Sequence, residues 1–108
     1  MATAFIRTIK HGAVLVNWEN IPEASDGDPY SPPAGYELKS LQVTGTFGGT
    51  SVTIQGTNEE TPSVWVTDSS AATSAAVLVP TAQMLHFRPK TTGGTGSAID
   101  INALFAPV

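Results

Sequence analysis

Residues Ala98-Ile99-Asp100-Ile101-Asn102-Ala103-Leu104-Phe105 carry the clearest pattern in the chain. Ile99, Ile101, Ala103 and Phe105 recur at every second position, with Asp100 and Asn102 between them. That two-residue period belongs to a strand with one face buried and one face wet. Working outward, Thr91 to Ser97 is a Gly/Thr turn, and before it Leu85 and Phe87 alternate with Met84, His86 and Arg88 as another strand, which Pro89 should stop. From Ser69 to Val79 the spacing of Ala71, Ala75 and Val79 admits a short helix. The Ser/Thr content, and the run Ala76-Val77-Leu78-Val79 ending at Pro80, favour a loop and then a strand. Val64 to Thr67 gives a further short strand after a polar loop over Thr57 to Ser63.

Tyr36 and Leu38 share one parity, whereas Leu41, Val43 and Phe47 take the other. The phase slips near Ser40, as it does at a β-bulge. Gly48-Gly49 then makes a turn, and Val52 and Ile54 read as the return strand of a hairpin. Further back, Phe5 to Lys10 and Ala13 to Trp18 are two short strands broken at His11-Gly12, with Val14, Val16 and Trp18 on one face. Between Glu19 and Gly35 the alternation disappears into turn chemistry. The Pro32-Pro33 pair there predicts an extended, polyproline-like path, and a structureless segment this long is often a binding loop or an arm.

These seven to eight short strands, with little or no helix, predict an all-β chain, an antiparallel β-sandwich of jelly-roll or immunoglobulin-like type. The 108 residues form one domain (1–108), with an N-terminal strand or arm over 1–18 and a Pro-rich loop over 19–35. Only 13% of residues are charged, about half the ordinary fraction of roughly 25%. Large neutral surfaces follow, and these suit packing against a partner.

Composition narrows function further. The net charge is −4 and the five cations (Arg7, Lys10, Lys39, Arg88, Lys90) are scattered, so a nucleic-acid partner is not expected. The absence of cysteine removes disulfides, thiolate metal sites and a cysteine nucleophile. Apolar runs such as Ala13 to Val16 are too short to span a bilayer, so no membrane partner is expected. The segment Met1 to Arg7 lacks the basic-then-apolar layout of a signal peptide; the expectation is synthesis and retention on the cytosolic side, or release by lysis.

Candidate reactive groups are few. His11 sits beside a glycine turn and His86 within a strand, and no spacing brings either a catalytic or metal-binding partner. Glu23, Asp26 and Asp28 around Gly27 resemble the start of a calcium loop without its fuller ligand run, and an exposed turn explains them better. Glycines 48, 49, 93, 94 and 96 do not precede a helix, so tight turns are favoured over a phosphate cradle. No catalytic residue, cofactor or metal is expected, and the chain is read as not an enzyme. Of the aromatics that could stack on a sugar (Trp18, Trp65, Tyr30, Tyr36), Trp18 shares core parity with Val14 and Val16. Tyr30, in the Pro-rich loop, is read as the best exposed aromatic and a possible anchor for an interface.

The run Leu41-Gln42-Val43-Thr44-Gly45-Thr46-Phe47-Gly48-Gly49-Thr50-Ser51-Val52-Thr53-Ile54-Gln55-Gly56-Thr57-Asn58, followed by Phe87-Arg88-Pro89-Lys90-Thr91-Thr92-Gly93-Gly94-Thr95-Gly96 and the alternation to Phe105, resembles small structural proteins of tailed-phage virions, of the head decoration or cement type. The likeness covers about residues 36 to 105. It departs at Asn58 to Trp65, where the family's Asn-Asp-Gly turn is replaced by a longer loop before a Trp65 that the family places in a core-like position. The resemblance implies a virion component on the outer surface of the capsid, bound to the major capsid protein, with a trimer as the implied homo-oligomer. The expected contacts are the segment Ala2 to Lys10, with Phe5, Ile6 and Ile9, and the loop Asp26 to Gly35, with Asp28, Pro29, Tyr30, Pro32 and Pro33. The alternatives are a carbohydrate- or receptor-binding module on a head fibre or tail, and a tail-tube or baseplate accessory.

Overall fold

The computed structural model describes residues 5–108. Eight strands run in order: β1 (Phe5–Lys10), β2 (Ala13–Ile21), β3 (Tyr36–Thr46), β4 (Ser51–Thr57), β5 (Val66–Thr67), β6 (Ala76–Leu78), β7 (His86–Thr92) and β8 (Ala98–Pro107). They form two antiparallel sheets, one of five strands in the order β1-β2-β8-β3-β6 and one of three in the order β5-β4-β7. Among the described residues there is no helix. The all-β sandwich expected from the alternation is therefore what forms.

Strand β8 lies at the centre of the larger sheet, flanked by β2 and β3 along most of its length. Its alternation sends Ile99, Ile101, Ala103 and Phe105 into the space between the sheets, where each is at most 1% exposed. Val14, Val16 and Trp18 from β2 and Leu38, Leu41 and Val43 from β3 join them on that face. Val52, Ile54 and Phe87 come from the smaller sheet. The phase slip near Ser40 is a bulge: Leu38 pairs with Phe105 and Ser40 with Leu104, so Lys39 is the extra residue. In a regular strand Leu38 and Leu41, three residues apart, would face opposite sides of the sheet; the bulge puts both on the inner one.

The hairpin expected at Gly48-Gly49 does not form. β3 pairs with β8 and β6, and β4 pairs with β5 and β7, so the chain crosses here from one sheet to the other. The loop between β7 and β8 makes the return crossing, and the two crossings are tied together. The Thr95 N–H donates to the Gly48 carbonyl at 2.9 Å, and the Ser97 hydroxyl donates to the Phe47 carbonyl at 2.6 Å. Gly48 has φ of 57°, and a Cβ there would lie 2.1 Å from the Thr95 carbonyl oxygen, so only glycine fits.

Strand β7 is not stopped by Pro89. In the ladder with β4, Pro89 lies opposite Ile54. The backbone groups of Phe87, Pro89 and Thr91 point away from β4, toward residues 25–30, so the missing N–H falls outside the β4–β7 ladder. The strand expected over Val64 to Thr67 is shorter, reduced to Val66–Thr67.

The segment between β2 and β3 is not a free arm. Its stretch from Ser25 to Tyr30 runs antiparallel along the outer edge of β7. Gly27 N–H donates to the Pro89 carbonyl, Thr91 N–H to the Ser25 carbonyl, and Tyr30 and Phe87 exchange both bonds, all at 2.8–2.9 Å. Contact is close enough that a Cβ on Gly27 would sit 2.5 Å from the Pro89 ring and 2.8 Å from Trp18. Buried Thr91 reinforces the seam: its hydroxyl accepts from Ser25 N–H and donates to the Pro22 carbonyl.

Candidate functional site

The residues expected at an interface fall into two groups. Phe5, Ile6 and Ile9 lie on β1, and Asp28 to Pro33 lie on the loop that seals β7. The two groups meet at one place, where the Phe5 ring stands edge-on to Tyr30 at 5.3 Å and to Trp18 at 5.9 Å. Tyr30 also packs against Phe105 at 5.0 Å, and it is 6% exposed. Tyr30 is therefore a core residue, which corrects the reading of it as an exposed anchor. Tyr30 lies directly opposite Phe87 in an antiparallel pair, so its ring takes the same, inward face as that buried side chain. Of the loop residues, Pro29 and Pro33 are exposed, while Asp28 and Pro32 are half-buried. Ile6 and Ile9 are 58% and 66% exposed. Ala2, named with the N-terminal contact segment, lies outside the described residues.

The acidic trio does not converge on one point. Glu23 reaches the crossing loop between β7 and β8, accepting from Gly96 N–H at 3.0 Å and Ser97 N–H at 3.2 Å. Its own backbone N–H, then those of Gly96 and Ser97, hold its carboxyl below the usual 4.5. The glycine-rich turn is thus an anion cradle after all, but one filled by the chain's own carboxylate. Asp26 instead pairs with Lys90 at 3.0 Å and Arg88 at 3.5 Å. Asp28 offers its backbone carbonyl to the Trp18 indole N–H.

Trp65 is half-buried, not in the core. The Arg88 guanidinium lies 4.3 Å from its ring centroid, and the same side chain donates to Gln55 at 2.9 Å. This cluster occupies the outer face of the three-stranded sheet. The longer loop before Trp65 is organised by Glu59, which accepts from the backbone of Val64 and Ser63 and from the Ser63 hydroxyl. Those bonds, Val64 foremost, lower its pKa. Trp18 is in the core as expected. Tyr36 is partly buried and donates its hydroxyl to the Gly12 carbonyl.

His11 lies in the β1–β2 turn with φ of 52°. His86 opens β7, and its Nε2 is buried without a partner among the described residues. Among the described residues no three His, Asp or Glu side chains gather as metal ligands. Among them, too, no helix is long and apolar enough to cross a membrane.

The outer face of the five-stranded sheet is a surface that the linear pattern did not single out. The registers place Ile6, Asn17, Asn102, Gln42 and Val77 in one row across all five strands, and Thr8, Leu15, Leu104 and Ser40 in the next. None of the nine is charged. Between Leu15, Leu104, Gln42 and Val77 lies a shallow depression of about 340 Å³. Asn17 donates to Asn102, while its own side-chain oxygen is buried without a partner among the described residues. These two rows can meet another neutral surface without leaving a charge of their own unpaired. Only the pairing register reveals them, because the nine residues come from five separated segments.

No family model and no curated protein matches the sequence. Among solved structures, the fold is similar to that of the SPBc2 prophage-derived protein YomS, with a TM-score of 0.64 at 7% identity, over 92% of this chain and 99% of that one. Protein NMB1881 from Neisseria meningitidis superposes less closely, with a TM-score of 0.39 at 12% identity over 93% and 82% of the two chains. The CBM22-1–GH10 structure of Clostridium thermocellum xylanase 10B, in complex with xylohexaose, gives a TM-score of 0.45 at 12% identity, over 96% of this chain and 24% of that one. At these identities the likeness to the prophage-derived protein is one of fold, and the two looser superpositions carry no argument.

Proposed function

We propose that the chain is a non-enzymatic structural protein of a phage virion, a decoration or cement subunit on the outer surface of the head. The observation that carries this reading is the pair of uncharged rows across the middle of the outer face of the five-stranded sheet, an amide row with apolar flanks. Burying such a face against an assembled lattice, and not against free capsid subunits, stabilises the lattice by mass action. The resemblance of residues 41–58 and 87–105 to phage head proteins supports it, as does a prophage-derived protein with the same fold. The major capsid protein is the proposed partner, and a trimer the proposed state of the bound subunit.

Mixing the purified protein with expanded heads and pelleting them tests the reading. Saturable co-sedimentation, with heads that survive higher temperature, is the expected result. Immunogold label confined to tails, or no label on purified particles, overturns it. For the fibre or tail module the favouring observation is Trp65 with Arg88 and Gln55, a half-exposed aromatic beside polar side chains. A glycan array with the isolated protein separates the two, because the decoration reading expects no sugar to bind.

A further inference from the structure

The four sheet edges are not equivalent. β5 has two residues, and β4 beyond it is occupied by Ala72, by the Ser69 hydroxyl and by the Asp68 backbone. β6 has three, and where β3 continues past it the Gln83 side-chain amide bonds both backbone groups of Leu38, at 3.0 and 3.1 Å. β7 is covered by residues 25–30. β1 is six residues long, and among the described residues β2 is its sole strand neighbour.

The charge on this edge is also distinct. Lys39 is paired with Glu37, and Arg88 and Lys90 with Asp26. Arg7 and Lys10, both on β1, have no ion pair among the described residues, and residues 1–4 contain no acidic side chain. Outside β1 the chain carries three cations against nine carboxylates. The open edge is therefore a short basic strip on an acidic protein. Its faces are mixed: Arg7 and Ile9 lie on the side of Val16 and Val14, and Ile6 and Lys10 on the other.

We propose that β1 accepts an extended, acidic segment of a partner chain as an added antiparallel strand. Its carboxylates stand opposite Arg7 and Lys10, and its apolar side chains opposite Ile6 and Ile9. Backbone hydrogen bonds supply the general affinity of such pairing, the two charge pairs fix register, and the apolar pairs with Ile6 and Ile9 favour the antiparallel direction. A second copy is a poor occupant. β1 laid antiparallel on itself lines four unpaired cations along one ladder, where like charges repel. The inference deepens the virion reading and rests on it for the source of the segment, which would be an arm of a capsid protein.

The test uses a capped synthetic peptide, Glu-Val-Thr-Glu-Val-Val, titrated into the isotopically labelled protein, with Lys-Val-Thr-Lys-Val-Val as control. The expected result is chemical-shift change confined to β1 and its β2 neighbours, slowed exchange of β1 amides, and at least tenfold weaker binding of the lysine peptide. In the doubly substituted variant Arg7→Glu, Lys10→Glu the preference should reverse. Equal binding of both peptides, shifts centred elsewhere, no binding at millimolar peptide, or a dimer through β1 in sedimentation would each overturn the proposal. Pelleting with heads keeps the two readings apart: a protein that decorates heads but ignores the acidic peptide refutes this proposal alone. One that takes the peptide on β1 but never binds heads refutes the virion reading alone.

Discussion

Two long sheet edges, β7 and β1, face opposite fates in the same small sandwich. Along β7 the chain supplies its own covering: residues 25–30 satisfy Phe87, Pro89 and Thr91 by backbone bonds, and Tyr30 fills the core below. Along β1 no described residue does this, and Ile6 and Ile9 stay largely in solvent. An uncovered strand edge is an association hazard unless it is shortened, charged or covered. The first edge is closed by part of the 14-residue connection between β2 and β3, residues 22 to 35; the second is guarded by charge alone. The difference teaches that irregular sequence can carry structural weight while a well-patterned strand remains available for a partner.

Single substitutions should separate the two edges. Trp18 links the two edges, packing on Phe5 and bonding the Asp28 carbonyl. Trp18→Ala should cost about 3–5 kcal/mol in urea unfolding and loosen both edges together. Gly27→Ala pushes a methyl into Pro89 and Trp18 and should cost about 1–3 kcal/mol, with faster amide exchange at Phe87 and Thr91 and no change along β1. Thr91→Val leaves the buried Ser25 N–H without an acceptor. A loss toward the lower part of about 1–3 kcal/mol is expected, again confined to the sealed edge.

Acid should act on the sealed edge as well. The Glu23 carboxyl is lowered in the folded state, so its contribution is complete above the ordinary value of 4.5 and is lost as pH falls through the lowered one. Glu23→Gln should flatten that part of the stability profile between neutral pH and pH 3, while the Glu59 part persists. Smallest of all, Ile9→Thr should change stability by no more than about 0.5 kcal/mol, because the side chain is already in water. A large loss there would mean that β1 is not the free edge described above.

Legibility followed the range of the interaction. The faces of β2 and β8, and a bulge near Ser40, are written in the parity of neighbouring residues and were readable; that Lys39 is the extra residue shows only in the pairing with β8. What joins to what was not. A glycine turn between two alternating strands serves a hairpin or a crossing between sheets equally well, and at Gly48-Gly49 the choice is made by Thr95 and Ser97, some fifty residues away. Pro89 marks a strand end when its missing N–H faces a ladder, and marks nothing when it faces away. Tyr30 sits among prolines and glycine, where exposure is the usual outcome, but its pairing with Phe87 lies far along the chain. The neutral rows of the outer face were hidden for the same reason: Asn17, Gln42 and Asn102 become neighbours only through register.

The central place of β8 bears on how the protein is made. During vectorial synthesis β2 and β3 leave the ribosome long before residues 98–107, the segment that joins them. Until then Val14, Val16, Leu41 and Val43 have no sheet to complete, and two strand edges stand open to neighbouring nascent chains. Assembly of the larger sheet therefore waits for β8, and a chaperone that shields β2 and β3 until then should raise the yield more than one that acts on the finished fold.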